Sequence, residues 1–97
     1  MVGARLRIPD RVAHLIRGLH PDIKRKVRAG LEAIIADPNI GKALKEELSG
    51  LRSYRIGRFR IVYRSAPEQG IEIVAVGPRS HIYQETYRLL RRRRESQ

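Results

Sequence analysis

The sequence predicts one α+β domain, with an N-terminal strand, a two-helix hairpin, a three-stranded antiparallel meander and a C-terminal helical segment. Three observations predict this order: apolar residues recur at helical spacing up to about residue 36, they alternate with period two from Leu51 to Val76, and a helix-compatible basic segment follows. The 97 residues contain no repeat or linker and can bury only one small core. Residues 1–97 are therefore expected to form a single domain.

The N-terminal part is expected to form one strand and two helices. Apolar and basic residues alternate from Ala4 to Ile8, which is typical of a half-buried strand. Asp10 then stands where a helix-capping residue is expected, and apolar residues follow at helical spacing. Pro21 suits the first turn of a second helix, which Asp37-Pro38-Asn39 should end. Residues 41–49 are less periodic and predict either a loop or a third short helical turn.

Beyond residue 50 the pattern changes to that of a sheet. β-Branched and aromatic residues predict three consecutive strands, with a two-residue turn at Gly57-Arg58 and a wider connection over residues 65–70. Such a tight turn pairs Ile56 with Phe59 and Arg55 with Arg60. Because facing residues share one side of the sheet, the apolar side chains should point to the helices, and the arginines should lie on an opposite face that stays open.

The composition limits the classes of function. The formal net charge is +11, and residues 49–97 hold eleven basic against four acidic residues, which favours a polyanionic partner. Cysteine is absent and histidine is scarce, so no metal and no cofactor are expected. No apolar stretch approaches the roughly 20 residues that span a bilayer, and the N-terminus lacks the apolar run of a signal peptide, so we expect a cytoplasmic protein without a membrane partner. The basic tail, residues 91–97, should be solvated and frayed.

Arginines of the meander are candidates for binding a phosphodiester. Arg55 and Arg60 face each other across the first hairpin, Arg58 lies at its tip, and Arg64 lies in line beyond Val62. Like charges directly opposite each other destabilise a sheet unless an anion lies between them. We therefore expect Arg55, Arg58 and Arg64 to bind the substrate. The competing interpretation is that these arginines only keep an exposed sheet face from pairing with other proteins.

A second group of candidates follows the last strand, where Arg79, His81 and Tyr83 should emerge beside the same end of the sheet as Arg60. Cleavage of RNA requires that the 2′-hydroxyl lose a proton, that the phosphorane charge be stabilised and that the leaving 5′-oxygen gain a proton. Arginine stabilises charge but cannot accept a proton. His81 and Tyr83 are thus the proton-transfer candidates, with Tyr83 favoured, although packing alone could explain Tyr83 and ordinary exposure His81. Together, Arg60, Arg79, His81 and Tyr83 are the candidate catalytic residues.

The segment from Leu48 to Tyr83 carries a family resemblance. Its motifs are Leu48-Ser49-Gly50-Leu51, then Tyr54-Arg55-Ile56-Gly57-Arg58-Phe59-Arg60-Ile61-Val62-Tyr63, then Ile73-Val74-Ala75-Val76-Gly77-Pro78-Arg79, and Tyr83. This pattern resembles the RelE/ParE superfamily of toxins of type II toxin–antitoxin systems. The predicted order of elements is similar to the RelE-like fold over nearly the whole chain.

The resemblance to RelE-like members implies a metal-independent endoribonuclease that cleaves mRNA in the ribosomal A site and inhibits translation. Its implied partners are the ribosome, mRNA and a cognate antitoxin. Carried over by position, Arg55, Arg60, Arg79 and Tyr83 match the family's functional residues in type. RelE proper has lysines around the second strand, and Pro78 replaces the usual His before the Arg. The resemblance therefore leaves the general base open.

Two other classes of function stay open. ParE-like members of the superfamily share the scaffold and act on DNA gyrase, so the fold does not fix the activity. A non-catalytic basic module would use the sheet arginines and residues 91–94 for salt-dependent, sequence-blind binding of nucleic acid. Each toxin interpretation implies an acidic or amphipathic antitoxin that covers the basic face or displaces the C-terminal helix.

Overall fold

The structure, a computed structural model, describes residues 5–95 and their side chains up to Arg92. Within this range the chain forms strands, helices and one 3₁₀ turn in this order: β1 (Leu6–Arg7), α1 (Asp10–Arg17), α2 (Pro21–Ala36), β2 (Lys42–Ala43), the 3₁₀ turn (Glu46–Leu48), β3 (Arg52–Ile56), β4 (Phe59–Ala66), β5 (Gly70–Pro78) and α3 (Ile82–Glu95). The predicted α+β order of elements is confirmed. No helix in the described part of the chain is long and apolar enough to cross a membrane.

The strands form one sheet in the order β1-β5-β4-β3-β2. The predicted meander of β3, β4 and β5 is antiparallel, and it gains one short strand at each edge. β1 pairs parallel with β5, and β2 pairs antiparallel with β3. β1 is shorter than the predicted strand from Ala4 to Ile8, and Ala4 lies outside the described residues. Residues 41–49 contain the expected helical turn and also β2, which the sequence pattern did not predict.

The hairpin between β3 and β4 has the predicted two-residue turn. Gly57 has a φ of 66°, which suits glycine at the first turn position. Ile56 pairs with Phe59, and Arg55 pairs with Arg60, so the predicted register is confirmed. The next connection is tighter than predicted, because Ala66 already pairs with Gly70.

The hairpin of α1 and α2 packs on one face of the sheet. The largest apolar cluster lies between them and includes Val27, Ile34, Ile61 and Tyr63, all fully buried. Gly30 lets α2 approach closely, because a Cβ at this position would lie 2.8 Å from Cγ2 of Ile56. The prediction that the apolar side chains paired across the first hairpin point to the helices is confirmed for Tyr54, Ile56, Phe59 and Ile61.

The helix caps differ from the sequence interpretation. Asp10 is the first residue of α1 rather than its cap; Pro9 holds the capping position, where no side chain forms a capping hydrogen bond. Asp10 instead places a negative charge in the first turn, where the helix dipole favours it. α2 is capped by His20, whose Nδ1 accepts a hydrogen bond from the backbone N–H of Asp22 at 3.1 Å. Pro21 follows as the first helical residue, as predicted.

The second face of the sheet is not open, so this prediction was wrong. α3 packs across β4 and β5 on a smaller apolar cluster that contains Leu51, Val62, Val74, Ala75 and Ile82. A register shift between β4 and β5 accompanies the placement of both Val74 and Ala75 in this cluster. α3 extends to Glu95, and the expected fraying of the basic tail, residues 91–97, stays a prediction. Residues 96 and 97 lie outside the described residues.

Candidate active site

A hydrogen-bonded group of three side chains lies where α3 begins to cross the sheet. The hydroxyl oxygen of Ser53 accepts a hydrogen bond from Nη1 of Arg60 at 3.1 Å and a second from the hydroxyl of Tyr83 at 3.3 Å. Ser53 is 2% exposed, whereas the arginine and the tyrosine are half-buried. The structure therefore brings two of the predicted catalytic residues, a cation and a proton donor, onto one buried hydroxyl.

The local sequence explains this placement. Ser53 and Arg55 lie two residues apart on β3 and so point to the same side of the sheet. Arg60 pairs with Arg55 across the hairpin, and its side chain extends along the strands to Ser53. Tyr83 reaches the same point because it is the second residue of α3, whose first residue, Ile82, is buried in the cluster beneath the helix.

Arg55 and Arg60, which pair across the hairpin, form hydrogen bonds in opposite directions along the strands. Nε of Arg55 donates to the carbonyl oxygen of Gly57 at 3.3 Å, toward the hairpin tip, whereas Arg60 donates to Ser53, away from it. Nε of Arg60 is buried and has no hydrogen-bond partner within the described residues. A buried unpaired donor costs about 1–3 kcal/mol. An unpaired buried donor calls for an explanation, and a bound ligand or a water molecule would supply one.

The remaining arginines at this end form a second group around the hairpin tip. The backbone N–H of Arg79 donates to the carbonyl oxygen of Arg58 at 2.8 Å, which ties the end of β5 to the turn. Arg55, Arg58 and Arg79 line a groove of about 420 Å³ and are all exposed. Arg79 is thus placed with Arg55, as the sequence predicted, but Arg60, which was expected beside them, does not line this groove and binds Ser53 instead.

His81 lies in the turn that precedes α3. Its side chain is exposed, and Nδ1 lies 2.7 Å from the hydroxyl oxygen of Ser80. Its backbone carbonyl accepts a hydrogen bond from the N–H of Glu85, which begins the helix. The structure places His81 two residues before Tyr83, and its catalytic role stays a prediction.

Arg64 is not part of either group. It lies four residues beyond Arg60 on β4, about 13 Å along the strand. Its Nη1 is 3.4 Å from a carboxylate oxygen of Glu72, which also lies 3.9 Å from Arg7. This ion pair gives Arg64 a partner within the fold, and its predicted role in binding substrate stays a prediction.

Ser53 is the functional candidate that sequence reasoning missed. The predicted register already placed it on the same side as Arg55, so its position near Arg60 could have been found. Its bond to Tyr83 could not, because the face was expected to be open and nothing in the strand pattern indicates that α3 covers it. In the described part of the chain, no three His, Asp or Glu side chains are close enough together to hold a metal ion.

Comparisons with known proteins agree with this architecture. A family model described as the ParE toxin of type II toxin–antitoxin systems matches residues 6–83. No curated protein sequence matches the chain.

Three solved structures illustrate the likeness. The RelBE2 toxin–antitoxin complex of Mycobacterium tuberculosis aligns with a TM-score of 0.71 and 28% identity over 80% of this chain and 100% of that chain. A free-state mutant of the E. coli toxin RelE aligns with a TM-score of 0.74 and 17% identity over 95% of this chain and 98% of that one. The archaeal RelE–RelB complex from Pyrococcus horikoshii aligns with a TM-score of 0.65 and 21% identity over 80% of this chain and 97% of that chain. The chain therefore belongs to the RelE/ParE family, the toxins of type II toxin–antitoxin systems.

Proposed function

We propose that this toxin is an endoribonuclease that cleaves ribosome-bound mRNA without a metal ion and thereby inhibits translation. The observation that carries the proposal is the group in which Ser53 accepts hydrogen bonds from both Arg60 and Tyr83. A phosphodiester bound here would meet a guanidinium and a phenol at once, and Arg55, Arg58 and Arg79 line a separate groove at the tip of the same hairpin. An inhibitor that works by binding alone needs no such proton donor.

The proposed reaction is a transesterification within the RNA. The 2′-oxygen forms a bond to phosphorus, the bond from phosphorus to the 5′-oxygen breaks, and the products carry a 2′,3′-cyclic phosphate and a 5′-hydroxyl. Arg60 and Arg79 stabilise the charge on the phosphorane, while Arg55 and Arg58 hold the neighbouring phosphates. Tyr83 gives its hydroxyl proton to the leaving 5′-oxygen.

The 2′-hydroxyl proton requires an acceptor, and His81 is the candidate. Its Nδ1 contacts Ser80, so the other ring nitrogen, Nε2, would take the proton. His81→Ala should therefore reduce cleavage, because it removes the proposed proton acceptor. An unchanged rate would remove His81 from the mechanism and leave the roles of Arg60 and Tyr83 intact.

The test is to add purified toxin to translating ribosomes and to map the 5′ ends of the resulting mRNA fragments. The wild-type toxin should give discrete cuts. Arg60→Ala or Arg79→Ala should lower the cleavage rate by about 10²-fold to 10³-fold through loss of charge stabilisation. Tyr83→Phe should lower it by about 10²-fold to 10⁴-fold through loss of the proton.

A matched control is Arg28→Ala, which removes the same charge from an exposed position of α2 on the other side of the sheet. Because exposed charges are screened beyond about 10 Å, this variant should cut within about 2-fold of the wild-type rate. Intact mRNA after treatment with the wild-type toxin would refute the proposed activity. Equal losses in Arg28→Ala and Arg60→Ala would show that only overall charge matters.

A second candidate function is inhibition of DNA gyrase, which a resemblance to ParE-like members implies; the matching family model is described as a ParE toxin. This function predicts that the toxin blocks supercoiling by gyrase and leaves mRNA intact. Tyr83→Phe should then keep its potency, because a protein-binding inhibitor transfers no proton. Assays of supercoiling and of RNA cleavage on the same preparation separate the two candidates.

We also propose that a cognate antitoxin binds and silences the toxin in the cytoplasm. Two of the similar structures are toxin–antitoxin complexes, and the net charge of +11 favours an acidic or amphipathic partner. Co-expression with the product of a neighbouring small gene should yield a tight complex whose dissociation constant rises with salt. High yields of free toxin from healthy cells would contradict this.

A further inference from the structure

A groove of about 760 Å³ lies between the 3₁₀ turn and α3, beside the candidate active site. Tyr83 lines this groove as well as bonding to Ser53. The volume is in the range of pockets that hold small molecules the size of a nucleotide. Any RNA held at Arg60 and Tyr83 would therefore have a neighbouring nucleotide close to the groove.

The groove offers an aromatic surface one helical turn beyond the active site. Tyr87 is 43% exposed and also lines the groove. It lies four residues after Tyr83, so the two rings share one side of α3, with Cβ atoms about 5–6 Å apart. An exposed aromatic ring next to a bound phosphodiester is a stacking surface for an unpaired base, since every base has a π-face.

The charges around the groove are of two kinds. Lys45 and Arg91 line it and can bind phosphate oxygens. Glu46 and Glu47, from the 3₁₀ turn, line the same groove and are exposed. Carboxylates repel phosphates but accept hydrogen bonds from the amino groups of bases, as with N4 of cytosine. Uracil has no amino group; its one donor on this edge, N3–H, lies between two carbonyl oxygens, which the carboxylates would repel.

We propose that this groove binds the base of an mRNA nucleotide that flanks the scissile phosphate, and that it favours bases with amino groups over uracil. Tyr87 stacks on the base, and Glu46 and Glu47 read its edge. The inference rests on the proposed ribonuclease function and adds the determinant of its sequence preference.

The stacking role is tested with Tyr87→Ala and the matched variant Tyr87→Phe. On translating ribosomes, Tyr87→Ala should raise KM for mRNA cleavage by about 5-fold to 100-fold, which is the range expected for loss of one stacked base. Tyr87→Phe keeps the ring and should stay within about 2-fold of the wild-type KM, since the phenyl face stacks as well. Because the residue is exposed, thermal unfolding should be nearly unchanged in both variants.

The reading of the base edge is tested with the double variant Glu46→Gln and Glu47→Gln. The substrates are four mRNAs that differ only in the nucleotide adjoining the cleavage site, carrying A, C, G or U. The wild-type toxin should cut the uracil message most slowly, and the double variant should lose most of this difference because an amide can also donate to carbonyl oxygens. Glu32→Gln, an exposed carboxylate of α2, should keep the full preference.

The outcomes separate this inference from the proposed function. A wild-type toxin that cuts no mRNA overturns both. A toxin that cuts normally, with Tyr87→Ala and the double glutamine variant unchanged in KM and preference, overturns the groove's role alone. If those variants weaken binding of the antitoxin and leave cleavage unchanged, the groove is an antitoxin contact and the proposal fails.

Discussion

The two faces of the sheet are built from the same strands but differ in their contents. On the helix-hairpin face, α1 and α2 cover fully buried apolar side chains such as Ile61 and Tyr63. On the α3 face, a smaller apolar cluster borders Ser53, Arg60 and an ion pair at Glu72. The first face supplies most of the buried apolar surface, and the second holds the candidate active site.

This difference indicates a division between stability and function. The helix-hairpin face is continuous and apolar, which favours close packing and a high energetic cost for any cavity. The α3 face carries buried polar groups, including Nε of Arg60, which has no partner in the described part of the chain, and unpaired polar groups reduce stability. Substitutions on the first face should therefore act mainly on unfolding, and those on the second mainly on cleavage.

The largest expected effect comes from a cavity on the helix-hairpin face. Ile61→Ala should lower the free energy of unfolding by about 3–5 kcal/mol, because α1 and α2 cover this position and keep the new cavity from collapsing. Leu51→Ala removes a similarly buried side chain from the α3 face, where a single helix can shift inward, and should cost about 2–3 kcal/mol. Urea unfolding of both variants checks the difference. A larger cost for Leu51→Ala would reverse the comparison.

A buried hydrogen-bond pair on the first face gives the next effect. The hydroxyl of Tyr63 donates to the carbonyl oxygen of Pro38 at 2.7 Å and accepts from the N–H of Gly41 at 2.9 Å. Tyr63→Phe leaves both backbone groups unpaired and should cost about 1–3 kcal/mol of unfolding free energy. Urea unfolding measures it, with Tyr87→Phe, an exposed ring, as the control. A loss no greater than in that control would show that water replaces the hydroxyl.

Two glycines at close contacts between the sheet and its helices, one on each face, should differ less in their effect on stability. A Cβ on Gly30 would lie 2.8 Å from Cγ2 of Ile56 and 3.0 Å from Cδ1 of Ile61. Gly30→Ala should therefore cost about 1 kcal/mol net, since overpacking outweighs the gain in helix propensity. A Cβ on Gly77 would lie 3.3 Å from the end of the Ile82 side chain, which can move, so Gly77→Ala should change stability by less than about 0.5 kcal/mol. Similar thermal midpoints for the two variants would remove the contrast.

The pH dependence of stability should also report on the first face. Burial raises the pKa of Tyr63 above its ordinary value of 10.0, and this is the largest influence on it. The neutral form is therefore favoured in the folded state, so this contribution is complete below pH 10 and is lost as pH rises through the raised pKa. Urea midpoints between pH 8 and 11 should fall more steeply for the wild-type protein than for Tyr63→Phe. Parallel curves would contradict the burial effect, since every other side chain is the same in both proteins.

The two faces also differ in how much of them the sequence predicted. On the helix-hairpin face, the spacing of apolar residues and the turn at Gly57 determined the helices, the register and the direction of the side chains. Arg55 and Arg60 were correctly paired for the same reason. These features depend on local patterns, namely the spacing of apolar residues and the turn residues, which can be read from short stretches of sequence.

The α3 face depends on contacts between distant segments, and there the sequence prediction was wrong or incomplete. The run Arg91-Arg92-Arg93-Arg94 suggested a solvated tail, and few apolar residues of α3 mark the side that packs on the sheet, namely Ile82, Leu89 and Leu90. The register shift near Val74 supplies part of the surface that these residues contact. No residue type in the sequence predicts such a shift. For the same reason Ser53 was missed, although its neighbours in space, Arg60 and Tyr83, were both selected.

A clear effect on cleavage with only a small effect on stability should come from Ser53→Ala. The variant removes the common acceptor of Arg60 and Tyr83, and both partners are only half-buried and can bind water. Unfolding free energy should therefore change by less than about 1 kcal/mol. Under the proposed function the cleavage rate should fall by about 10-fold to 100-fold, mainly in kcat, because the two groups lose their relative position.

A positioning role and a merely structural one differ in a double-mutant cycle. If Ser53 acts by holding Tyr83, Ser53→Ala should slow cleavage much less in a Tyr83→Phe background, since the hydroxyl that it positions is already absent. A general structural defect would instead lower the rate by the same factor in both backgrounds. Ser65→Ala, an exposed serine on β4, should leave stability and cleavage unchanged. If Ser53→Ala unfolds the protein and spares kcat, the α3 face contributes stability like the other face, and the proposed division of roles fails.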